Sequence, residues 1–170
     1  MGCSSRVELF GKPSEEDEQY ALNIIEELGI KHLKDKSCSN LSGGEFQLVL
    51  IGRALCSKPK MIILDEPESN LDIYNRLVVM ETISALKKNG VACLFNTHSP
   101  SQAIGYADKT LILFPDGSSL FGDVSAIITE ENLKNAFNVN VLIHEITTDD
   151  GELLKAVIPV SFGHSLKGKR

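Results

Sequence analysis

Leu41-Ser42-Gly43-Gly44-Glu45 and, further on, Met61-Ile62-Ile63-Leu64-Asp65-Glu66-Pro67 are the stretches on which the fold turns. The first sets a hydroxyl and two glycines ahead of a helical run from Glu45 to about Cys56. Free N–H groups and the helix dipole make such a start attractive to anions, and glycine lets backbone approach phosphate closely. A plain Gly-Gly linker before a helix is the competing reading. The second stretch is a short apolar run, residues 60–64, bounded by turn residues, as in a buried parallel strand. Its end carries Asp65 and Glu66, at the carboxyl edge where open α/β sheets bind ligands. One carboxylate there can hold Mg²⁺ through water while its neighbour orients and deprotonates an attacking water. A solvated acidic turn before a proline would look the same in isolation.

Working outward, residues 91–95 read as the next buried strand. Asn96-Thr97-His98 then brings an imidazole to the same carboxyl edge, where it can contact phosphate. A lone histidine is otherwise usually structural, and His32, His144 and His164 are left in that class. Between the strands, a helix is predicted from about Asp72 to Asn89. Asp72 is its N-cap, Ile73, Leu77, Met80, Ile83 and Leu86 its inner side, and Gly90 its end.

Upstream, Ser14 reads as the cap of an amphipathic helix over residues 14–28, with Glu15, Glu16 and Asp17 at the positive end of its dipole. Ala21, Ile24, Ile25 and Leu28 form its packed face and Gly29 its stop. Residues 30–40 read as polar and irregular. Downstream, Ser99-Pro100 opens a short helix toward Tyr106. Residues 110–114 and 118–121 flank Pro115-Asp116-Gly117 as a hairpin. Thr129 opens a helix through Phe137. Residues 139–147 and 153–160 flank Asp149-Asp150-Gly151 as a terminal hairpin, and a loose tail follows from Ser161. Strand and helix alternating through the middle imply an α/β fold with parallel strands.

Taken together and in this order, the motifs resemble the nucleotide-binding subunit of an ABC (ATP-binding cassette) transporter. LSGGE at 41–45 is similar to the family's signature motif and MIILDEP at 61–67 to its Walker B strand with the following glutamate. Glu68-Ser69-Asn70-Leu71-Asp72 is similar to the D-loop and Asn96-Thr97-His98 to the histidine switch. The resemblance covers roughly residues 1–140. It implies a partial P-loop NTPase core with parallel strands, an α-helical subdomain over 1–58, the second half of the ATPase core over 59–160 with its C-terminal β-hairpin, and a basic tail over 161–170. It implies ATP and Mg²⁺ as cofactors. Asp65 takes the metal role, Glu66 the general-base role and His98 the γ-phosphate contact. Ser42, Gly43, Gly44 and Glu45 would close over ATP held by the opposite subunit, with Asp72 at the dimer seam. The implied partners are a second ATP-binding subunit of the same kind, making a homodimer, and a membrane permease, and the implied location is the cytoplasmic face of the membrane. Residues 1–33, 97–108 and 131–137 are similar to importer ATPases for iron–siderophore, haem, cobalamin and molybdate-type cargo.

Two departures bear on this. Glu68 stands where many relatives carry threonine; its charge would either loosen Mg²⁺ binding or face solvent. A P-loop needs G-x-x-x-x-G-K-[ST] between a strand and a helix. Residues 163–169 match seven positions, but Arg170 replaces the hydroxyl residue, and the match is read as chance. Most nucleotide contacts therefore fall outside these 170 residues, which are expected to hydrolyse little ATP alone and to expose strand edges that invite self-association.

Composition agrees: 42% hydrophobic and 24% charged suffice for a packed core. A net charge of -6 argues against a nucleic-acid surface. It also disfavours the alternative of a cassette lobe from a chromosome-maintenance or DNA-repair ATPase, as does the lack of heptads in residues 1–40. A non-catalytic interaction module is the remaining alternative. Cys3, Cys38, Cys56 and Cys93 have no metal-ligand spacing and read as buried or idle reduced thiols. No run approaches the ~18 apolar residues of a spanning helix. Arg6 stands where a myristoylation motif needs Ser or Thr.

Overall fold

The computed structural model describes residues 14–151 and 153–163. The chain divides into two compact units, Met1–Asn96 and Thr97–Arg170.

The first unit opens with α1 (Glu15–Glu27), closed by a capping box: Ser14 Oγ accepts from the Asp17 N–H while Asp17 accepts from the Ser14 N–H. The helix stops on Gly29, whose φ of 68° is one that glycine takes without strain. Gly29 N–H bonds the Glu26 carbonyl and Ile30 N–H the Ile25 carbonyl, each at 3.0 Å, which satisfies the end of the helix. Of the predicted packed face only Ile24 is fully buried. The segment read as polar and irregular instead makes two 3₁₀ turns, Lys31–Leu33 and Cys38–Asn40, and buries Ile30 and Leu33. Helix α2 (Gly43–Leu55) follows and buries Leu48, Ile51, Gly52 and Leu55. A Cβ at Gly52 would stand 3.0 Å from the Leu28 Cδ1, so glycine is what lets α1 and α2 approach here.

Strand β1 (Met61–Asp65) and β2 (Ala92–Asn96) pair in parallel, joined through α3 (Ile73–Lys88). The sequence reading of both strands as buried is corrected on one face. Ile62 and Cys93 are register partners on the face toward α3, where the Cys93 thiol approaches the Ile83 carbonyl. The opposite face is bare: Met61, Ile63 and Leu94 are 53%, 72% and 54% exposed. Helix α3 is corrected in the same way. Val79, Met80, Ile83 and Leu86 are buried, whereas Ile73 and Leu77, predicted on the inner side, are exposed.

The second unit contains α4 (Pro100–Tyr106), a hairpin of β3 (Lys109–Leu113) and β4 (Ser119–Asp123), α5 (Val124–Ile127), α6 (Glu130–Phe137) and a hairpin of β5 (Val139–Thr147) and β6 (Leu153–Phe162). Both predicted turns form, with Gly117 and Gly151 each at a φ of 85°. Asp116 fixes the first by accepting from the Ser118 N–H and hydroxyl. Those bonds, the hydroxyl's foremost, hold its carboxyl below the ordinary range. Ala103, Ile112, Ile127, Ile128 and Leu133 form the core, against which Val141, Ile143 and Val157 of the terminal hairpin pack. Strand β6 runs past the predicted end at 160: Ser161 and Phe162 pair with Asn140 and Val139 rather than opening a loose tail. Residues 164–170, with most of the P-loop-like match, lie outside the described residues.

Candidate functional site

Capping chemistry builds the turn at residues 42–44. Ser42 has extended backbone and its Oγ accepts from the Glu45 N–H at 3.2 Å; Glu45 Oε2 accepts from the Ser42 N–H at 2.8 Å. This reciprocal pair starts α2 at Gly43. The other carboxylate oxygen of Glu45 faces Lys36 Nζ at 3.3 Å and His32 Nε2 at 3.7 Å. The Ser42 N–H, with Lys36 beyond it, holds the Glu45 carboxyl below its ordinary 4.5. Gly44 is buried, and a Cβ there would overlap the Asn75 side chain. A Cβ on Gly43 would meet Leu71 at 3.4 Å. The glycines of this turn therefore lie against the start of α3.

Asp72 caps α3 as predicted, accepting from the Asn75 N–H at 2.7 Å, and its second oxygen takes the Asn75 side-chain amide at 2.9 Å. Asp72 thus holds the side chain that fills the space beside Gly44.

Asp65 ends β1 and Glu66 follows it with a φ of 42°, in the left-handed region where a non-glycine residue is strained. Asn96, the last residue of β2 and the register partner of Asp65, bridges the two. Its amide nitrogen donates to Asp65 Oδ1 at 2.8 Å, and its oxygen accepts from the Glu66 N–H at 2.7 Å. Ser69 Oγ donates to Glu66 Oε2 at 2.6 Å. Asn96 is a site residue that the sequence reading used only as context for His98. The signal available for it was its place at the tip of a strand beside a strand that ends in an acid.

Pro67 and Glu68 are buried, Glu68 to 6% exposure. The alternative of Glu68 facing solvent is thereby excluded. Segment 69–75 links the two clusters within the first unit, with Ser69 on Glu66 and Leu71 and Asn75 against the glycines. His98 belongs to the second unit and is exposed.

Cys38, Cys56 and Cys93 are free thiols, Cys38 exposed and Cys56 buried, and burial pushes the Cys93 thiol up. Among the described residues no group of three or more His, Cys, Asp or Glu side chains could hold a metal ion by itself. An Asp65 carboxylate with one oxygen steadied by Asn96 fits the Mg²⁺ habit of using one or two carboxylates plus water and phosphate oxygens. No helix of the described residues is long and apolar enough to cross a membrane.

The ABC transporter family model matches residues 3–69. The molybdate import ATP-binding protein of Haemophilus influenzae is 38% identical over 140 residues, covering 82% of this chain and 55% of that protein. A probable iron chelatin transport ATP-binding protein of Helicobacter pylori is 29% identical over 139 residues, 81% of this chain and 54% of that one. The chain thus spans a little over half the length of these relatives. Among solved structures, a metal-chelate type ABC transporter in an inward-facing conformation superposes with a TM-score of 0.88 at 33% identity, over 94% of this chain and 63% of that one. An ATP-binding cassette in its ADP conformation superposes with a TM-score of 0.67 at 27% identity, over 76% of this chain and 53% of that one. Motif order, sequence relatives and shared fold agree: the chain belongs to the ATP-binding subunits of ABC transporters, importers among them, and has the fold of part of their ATPase cassette.

Proposed function

We propose that these residues form the signature and catalytic-acid portion of an ABC importer ATPase with metal-chelate type cargo. One observation carries the reading: a strained Glu66 backbone and the Asp65 carboxylate are pinned by one amide, Asn96, at the tip of a parallel strand pair. Such strain persists where surrounding structure over-determines it, and it clusters at functional sites.

In this reading Asp65 would hold Mg²⁺, which would supply positive charge against the negative charge that develops on the phosphate. Glu66, oriented by Ser69, takes the proton of the attacking water. Ser42 and Gly44 donate to the γ-phosphate of ATP held by a second subunit, Asp72 lies at the seam between subunits, and His98 senses the phosphate. A membrane permease is the second partner, and the cytoplasmic face of the membrane is the place of work. The importer-type relatives and the metal-chelate neighbour support this over a DNA-repair lobe or a non-catalytic module.

The 170 residues alone are proposed to hydrolyse ATP at no more than background rate, since most nucleotide contacts lie elsewhere. Phosphate release from the pure polypeptide tests this. The expected trace is unchanged by Glu66→Gln. Turnover well above background that disappears on Glu66→Gln would contradict the division of labour.

A further inference from the structure

The carboxylate of Glu45 sits at the helix start that, on the reading above, must accept a phosphate. A negative side chain there suits the helix dipole. It also repels an incoming oxyanion and competes for the same N–H groups. The structure answers this with two basic side chains from residues 31–36. Glu45 Oε2 is used inward on the Ser42 N–H at 2.8 Å, while Oε1 is turned outward to Lys36 at 3.3 Å and His32 at 3.7 Å. His32 lies in the 3₁₀ turn Lys31–Leu33, anchored by buried Leu33, and Lys36 follows it with its N–H on the Leu33 carbonyl at 2.9 Å.

We propose that Lys36 is a positioning residue for phosphate recognition: by gripping the Glu45 carboxylate and offsetting its charge, it keeps the backbone of residues 42–44 receptive to an oxyanion. The inference rests on the proposed phosphate role of that turn. Lys36 acts through Glu45, so its effect depends on the carboxylate being there. The lowered Glu45 carboxyl is consistent with a pair that stays ionised.

The test is a titration of the ¹⁵N-labelled 170-residue chain with inorganic phosphate, followed through the amide shifts of Ser42, Gly43 and Gly44. Lys36→Met is expected to weaken the apparent affinity about threefold, the scale of an exposed ion pair, and Lys36→Arg to restore it. Lys34→Met, the same charge change on a neighbouring lysine, is expected to do less. In a Glu45→Gln background, Lys36→Met should have little further effect, because the charge it offsets is gone. Lys36→Met binding phosphate like the parent, or weakening it equally with and without the Glu45 carboxylate, would overturn the inference and leave the phosphate site standing. No response in the parent chain would overturn the inference, which claims a receptive backbone in this chain by itself, while the role proposed toward ATP on a second subunit is tested separately by the Glu66 comparison.

Discussion

Gly44 and Asn75 occupy one space: a Cβ on Gly44 would lie 2.4 Å from the Asn75 Cγ. The second glycine of the LSGGE turn is thus required by a side chain that Asp72 holds in place. Gly44→Ala is expected to destabilise by about 1–3 kcal/mol, the usual range for overpacking. Asn75→Gly in the same molecule should recover part of that loss. Urea unfolding of the single and double variants reads it; additive losses would show that the two do not compete for space.

Asn96 holds Asp65 and Glu66 with one side chain. Asn96→Ala removes both bonds, and for a site at the surface the expected stability loss is about 1 kcal/mol. Relaxation of Glu66 from its left-handed φ should accompany it, as a change in the Glu66 amide shift and its coupling constant. An unchanged Glu66 backbone in this variant would mean that the chain alone, not the amide, sets the conformation.

Acid should loosen the start of α2. Glu45 titrates lower in the folded chain than in the unfolded one, chiefly through the Ser42 N–H. The unfolded state therefore binds more protons over this window, so stability rises with pH across it. This contribution is fully present above an ordinary carboxylate's 4.5 and is lost as pH falls through the lowered value. Glu45→Gln should flatten the pH dependence of unfolding there and leave it alone near neutrality.

The bare face of the β1–β2 pair, with Met61, Ile63 and Leu94 exposed, favours association of the isolated polypeptide. Sedimentation should show mass rising with concentration. Ile63→Lys, on the most exposed of the three, should shift the chain toward monomer without loss of helix content.

Local chemistry was legible in the sequence and burial was not. Ser14, Asp72 and Thr129 cap helices where they were read, and Gly29, Gly117 and Gly151 turn where they were read, because each acts on its own backbone within a few residues. Of the five residues read as the inner side of α3, Met80, Ile83 and Leu86 are buried, whereas Ile73 and Leu77 near its start are exposed. Periodicity identifies a side but not how far its cover extends, and the cover runs from Val79 to Leu86 and stops short of Ile73 and Leu77. Ile62 and Ile63 read alike for the same reason, yet α3 covers one face of β1 and leaves the other open. Asn96 could not be picked out because its role depends on the β1–β2 register, a pairing between residues far apart in sequence. The link from Ser69 through Asp72 and Asn75 to Gly44 is likewise a product of packing.

The most direct measurement is ATP turnover by this chain joined to the remaining portion of a relative such as the Haemophilus influenzae molybdate import ATP-binding protein, compared with its Glu66→Gln variant. The division of labour proposed here predicts that both forms bind ATP and that hydrolysis falls about 10²-fold or more in the variant, the scale of losing a general base. Hydrolysis at the same rate in both ATP-binding forms would contradict it.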